Sequence, residues 1–148
     1  MSGVHALLPS MLFVDESNTR LGVMAEHVAR WYVGDVADVT SAGFDVRESR
    51  ASERAVACLR SRGLLELGDV VGAPRRLRDV DVAAYDIIVA LSQAAAAKVP
   101  RALRARGGVW NVRDPWQGSD DSYAEACEGL CRAMEDMLVA RARSFVAA

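Results

Sequence analysis

Apolar positions divide the chain into strand-like runs alternating with stretches of helical spacing. Met11 to Val14 is continuously apolar and ends abruptly in small and polar residues, the pattern of a buried strand. A helix-compatible segment begins near Val23. In it Ala25, Val28, Ala29 and Tyr32 share one face, Glu26, His27 and Arg30 lie opposite, and Gly34 marks the stop. Val36, Val39 and Thr40 form a second strand that ends at Gly43. Ser52 to Arg62 follows as a helix with Ser52 as N-cap, Val56 and Leu59 on its apolar side and Gly63 after it. Tyr85 to Leu91 is the best strand, and Ser92 to Lys98 is an alanine-rich helix stopped by Pro100. Val109 to Val112 reads as a fourth strand. Tyr123, Cys127, Leu130, Met134 and Met137 trace one face of a long final helix.

Strands alternating with helices predict an α/β fold: one domain over residues 1–148, with a four-stranded parallel sheet flanked by helices on both faces and a loose N-terminus over residues 1–10. Ligands of such folds sit beyond the carboxyl ends of the strands, where the first strand-to-helix loop emerges.

Composition narrows the function classes. The 148 residues suffice for one core, and a formal net charge of −2, from 18 Lys+Arg against 20 Asp+Glu, gives no reason to expect nucleic acid or an anionic membrane as partner. Lys98 is the only lysine. No apolar run approaches a membrane span, and residues 1–10 lack a basic signal-peptide region. Cys58, Cys127 and Cys131 are odd in number and show no metal-site spacing, which fits a reducing cytoplasm. No cofactor or metal is expected.

The stretch from Met11 to Glu26 carries the candidate chemistry. Strand, loop and helix together aim backbone N–H groups and a positive helix terminus at one point, which is how proteins hold phosphate. The stretch resembles the phosphate loop of the low-molecular-weight protein tyrosine phosphatases and their arsenate reductase relatives, V-C-x-x-N-x-C-R-S-P-M-A-E. Val14, Asn18, Met24, Ala25 and Glu26 match it. Ser41-Ala42-Gly43 resembles the end of the family's second strand, Tyr85 to Leu91 its Y-D-L-I-x-x-M strand, and Asp114-Pro115-Trp116-Gln117-Gly118 its D-P-W/Y-G element. The resemblance implies a flavodoxin-like three-layer sandwich, with a variable loop and a short helix within residues 64–84.

Chemistry departs from that pattern. The nucleophilic cysteine position holds Asp15, the phosphate-gripping arginine position holds Leu21, and the following serine is Gly22. A carboxylate can attack phosphorus, and another phosphatase class does so from D-x-D-x-T, but Asp15-Glu16-Ser17-Asn18-Thr19 lacks the second aspartate. The favoured expectation is a self-liganded loop, in which Asp15 accepts the N–H bonds meant for an anion. Arg20, one position early, reads as a solvated side chain. The resemblance makes Asp114 the general-acid position, retained here without a thiolate to serve. If Asp15 and Asp114 face each other, one should have a raised pKa. Asn18 should keep the family's role of bracing the loop.

His5 and His27 carry no nucleophile at useful spacing, and Cys127 and Cys131 read as core packing. Without a loop cysteine, neither tyrosine phosphatase nor arsenate reductase activity is expected. The resulting reading is an inactive phosphatase-like protein that binds, scaffolds or regulates, with Glu16, Ser17, Asn18, Thr19 and Arg20 lining a loop pocket gated by Trp116. Its partner would be another protein or a second copy of the chain. The alternative is an enzyme that reuses the pocket, with Asp15, Glu16 and Asp114 as acid/base groups or ligands of a hard metal such as Mg²⁺.

Overall fold

The computed structural model describes residues 9–34 and 37–147. His5 and most of the expected loose N-terminus lie outside them. Four strands, β1 (Met11–Asp15), β2 (Val39–Gly43), β3 (Ile87–Ala90) and β4 (Gly108–Val109), form one sheet in the order β2-β1-β3-β4. All three pairings are parallel. The helices are α1 (Leu21–Val33), α2 (Glu53–Ser61), α3 (Gln93–Lys98) and α4 (Asp120–Ala147).

Strand periodicity explains the layers. β1 is buried along its whole length, and alternate residues enter different cores. Met11 and Phe13 join Val28, Leu59, Leu130 and Met134 beneath α1, α2 and α4. Leu12 and Val14 join Ile88, Ala90 and Ala95 on the other face, beneath α3. A strand buried on both faces reads as a continuous apolar run, which is why β1 was legible.

Local signals set the helix ends. Gly34 terminates α1 at φ +62°. Ser52 caps α2 by accepting from Ala55 N–H, and Ser92 caps α3 in the same way from Ala95 N–H. Three expectations change. The fourth strand is Gly108–Val109 rather than 109–112, because after Trp110 N–H donates to Ala90 the chain leaves the sheet edge. Residues 64–84 contain two single 3₁₀ turns, Leu77–Asp79 and Val82–Ala84, in place of a short α-helix. His27 is buried rather than on a solvated face. That burial, the largest influence on it, lowers its pKa.

Candidate functional site

The loop between β1 and α1 is tied down by its carbonyls at both ends. Phe44, Asp45 and Ser52 donate their N–H groups to Asp15, Glu16 and Thr19, and Met24 donates to Arg20. Gly43 lets this happen, since a Cβ there would stand 2.6 Å from Glu16 O and 2.8 Å from Asn18 N. Asn18 takes a left-handed conformation at φ +56°. Its amide donates to Ser41 Oγ at 2.8 Å, and its Oδ1 accepts Arg75 N–H at 2.7 Å. Ser41 in turn donates its hydroxyl to Glu26 at 2.8 Å. Asn18 therefore ties the loop to β2 and to the 75–76 segment.

Asp15 sits at the centre of the loop, 7% exposed. Its Oδ1 accepts Asn18 N–H at 3.0 Å and its Oδ2 accepts Gly22 N–H at 2.8 Å. A carboxylate of the chain thus takes two donors at the head of α1, where an external anion would otherwise be held. Gly22 is what leaves room for it: a Cβ at position 22 would lie 2.6–2.9 Å from three atoms of the Asp15 carboxyl group.

Burial pushes the Asp15 pKa from 3.8 up to about 7, against the lowering effect of its two N–H bonds. Repulsion from Asp114 adds to the rise but ranks behind these, so the expected rise is present with a different main cause. The sign for stability follows. Between pH 3.8 and about 7 the folded state binds the proton that the unfolded state releases, so stability is fullest below this window and is lost as pH rises through it. Chemical denaturation from about pH 5 to pH 8 should show stability falling by a few kcal/mol, and Asp15→Asn should flatten that slope.

Arg20 corrects the expectation of a solvated side chain. Its Nε and Nη2 each donate to Asp114 at 3.1 Å, Nη1 donates to Thr19 at 3.2 Å, and its side chain is only 12% exposed. The guanidinium also lies 5.8 Å from the Trp116 ring centre. This two-pronged pair draws the 113–118 segment onto the loop. Asp114 Oδ1 additionally accepts Trp116 N–H at 3.2 Å, closing a local turn. Arg20→Ala should cost about 1 kcal/mol, since the pair is partly exposed. It should also change the Trp116 fluorescence, as the indole loses its cation.

Leu21 opens α1 and lies in the core, 4% exposed, so the position expected for a phosphate-gripping arginine faces apolar packing. Glu16 is exposed and Ser17 is hydrogen-bonded to Thr19 at 2.7 Å. Asp15, Glu16 and Asp114 do not converge as metal ligands: among the described residues no three His, Cys, Asp or Glu side chains form a group able to hold an ion. Trp116 is 62% exposed. It borders a cleft of about 600 Å³ whose lining includes Trp110, Asp114, Pro115, Ala126 and Gly129. No lining residue comes from 15–22, so this cleft lies beside the loop and is not the loop pocket the sequence suggested. Burial pushes the Cys127 thiol up to about 12 and raises Cys58 and Cys131 as well, which disfavours the thiolate form of each.

Sequence reasoning missed the roles of Glu26, Ser41, Arg75 and Gly22. The first two fell inside matched motifs, which was a usable signal. Nothing local marked Arg75, whose contribution is a backbone N–H.

Comparison with known proteins agrees with this geometry. Residues 10–145 match the family model "Low molecular weight phosphotyrosine protein phosphatase". Among solved structures, a low molecular weight phosphotyrosine phosphatase from Vibrio cholerae O395 is 18% identical with a TM-score of 0.80, covering 93% of this chain and 99% of its own. The tyrosine phosphatase Wzb from Escherichia coli K30, in complex with sulphate, is 20% identical with a TM-score of 0.72, covering 87% and 95%. An arsenate reductase in the phosphate binding state is 19% identical with a TM-score of 0.73, covering 89% and 98%. No curated protein sequence matches the chain. Among the described residues no helix is long and apolar enough to cross a membrane.

Proposed function

The chain belongs to the low molecular weight phosphotyrosine protein phosphatase family, and from that premise we propose that it is a member without phosphatase chemistry, serving as a binding, scaffolding or regulatory protein. The observation that carries this reading is the Asp15 carboxyl group held by Asn18 and Gly22 N–H at 3.0 and 2.8 Å. Those donors are committed to the chain itself, and above its pKa of about 7 the Asp15 carboxylate would also repel an incoming anion.

The chemistry of phosphoryl transfer supports it further. A nucleophile must be free to approach phosphorus, and a guanidinium must neutralise the equatorial oxygens. Both oxygens of Asp15 are engaged, Leu21 has no charge, and Arg20 is spent on Asp114. The exposed Trp116, steadied by Arg20 and Asp114, is the side chain best suited to meet a protein partner or a second copy of the chain.

An aryl phosphate assay tests the reading. The protein should release no inorganic phosphate above the uncatalysed rate, with or without Mg²⁺. Turnover that disappears in Asp15→Ala would instead favour a carboxylate enzyme, for which a pKa of about 7 suits proton transfer at neutral pH.

A further inference from the structure

A second cleft, of about 560 Å³, lies on the other side of the loop, at the carboxyl end of β2. Besides Val46 and Pro100, its apolar lining holds Phe44, Leu77 and Val82. The last three pack partly buried against the core cluster beneath α3, so the floor is fixed by the fold. Arg76, Arg78 and Lys98 stand around it, exposed.

Like most of the basic residues among the described ones, these three have no carboxylate partner, but they stand together around one apolar floor. Among the described residues, Arg20, Arg30, Arg47, Arg54 and Arg62 have carboxylate partners, whereas Arg76, Arg78 and Lys98 have none within ion-pair distance. Nor do their side chains donate a hydrogen bond among those residues. Lys98 Nζ instead lies 5.6 Å from the Phe44 ring centre, at the edge of the apolar floor. The one carboxylate in the lining, Asp45, is taken up by Arg47 at 2.9 Å.

The backbone holds the basic wall in place. Gly43 N–H donates to Arg75 O at 2.8 Å, Gly43 and Arg76 form a parallel bridge, and Arg75 N–H donates to Asn18 at 2.7 Å. Arg106 braces the far turn by donating to Ala83 O and Tyr85 O. The cleft therefore has a rigid floor, uncommitted positive charge, and a position at the strand ends where α/β folds bind ligands. Its size is that of a small-molecule site, ~300–1,000 Å³.

We propose that this cleft binds a small dianionic molecule with a flat apolar body, its anionic group held by Arg76, Arg78 and Lys98 and its ring laid on Phe44 and Leu77. This goes beyond the reading of the loop: anion recognition is given to a neighbouring surface, whether or not the loop is silent.

The only lysine of the chain gives a direct readout. Reductive methylation with ¹³C-formaldehyde keeps the Lys98 charge and gives it one ε-dimethylamine signal, separate from that of the terminal amine. Titration with 1-naphthylphosphonate should move the Lys98 signal saturably. Inorganic phosphate and neutral 1-naphthalenemethanol should each bind at least about tenfold more weakly, because each supplies half of the recognition. Arg76→Gln with Arg78→Gln should weaken naphthylphosphonate about tenfold or more, and the paired Lys substitutions should recover part of the loss. An unaltered melting temperature would show that the exposed substitutions leave the fold intact. A Lys98 signal that does not move, or a titration unchanged by the double Gln variant, would overturn the proposal. The phosphonate cannot be hydrolysed, so neither result depends on whether the loop turns over phosphoesters.

Discussion

Asp15→Ala should turn a loop indifferent to oxyanions into one that is stabilised by them. In the native chain both carboxyl oxygens occupy the N–H donors of Asn18 and Gly22. Truncation removes the carboxyl group that occupies the nest but leaves the bracing by Asn18, Ser41 and Gly43 in place. An emptied nest at a helix head is an anion seat. With Kd on the order of 1 mM, phosphate at about 100 mM would add about 2.7 kcal/mol, which is roughly 6–10 °C for a chain of this size. Melting curves in phosphate and in chloride of matched ionic strength check this. The variant should gain those degrees in phosphate, and the native protein should gain under about 1 °C.

The second large effect concerns Gly22. A methyl group there would enter the Asp15 carboxyl group, with three contacts of 2.6–2.9 Å, against atoms held by two hydrogen bonds. Gly22→Ala should therefore destabilise by about 2–4 kcal/mol, combining overpacking with the loss of at least one buried N–H bond. Helix propensity predicts the opposite sign, since Gly22 lies within the first turn of α1 and Ala is favoured over Gly by about 1 kcal/mol in a helix. In an Asp15→Ala background the clash vanishes, and Gly22→Ala should become neutral or stabilising. Denaturant unfolding of the four proteins measures the coupling, and a sign reversal between backgrounds is the expected result. By the same geometry a serine at position 22 would collide with this aspartate.

Most of the fold was legible because its signals are local and repeated. β1 and β3 are short apolar runs with polar flanks, Ser52 and Ser92 are helix caps, and Gly34 and Gly63 adopt positive φ after helices. The β4 boundary was not legible, since Trp110 and Val112 are apolar for packing on the core and not for sheet pairing. At the site, the acceptor role of Asp15 followed from its place in a strand-loop-helix turn. The pairing of Arg20 with Asp114 spans 94 positions and had no local sign. Its consequence, a pinned Trp116, was equally invisible. His27 was placed on a polar face by spacing alone, yet the fold buries it.

Isothermal titration of the native protein with orthovanadate bears most directly on the filled cradle. If the Asp15 carboxyl group holds the donors of Asn18 and Gly22, no saturable heat should appear up to millimolar vanadate, while Asp15→Ala should show one-to-one binding. Tight one-to-one binding to the native protein, lost on removal of the residue 15 carboxylate, would contradict it.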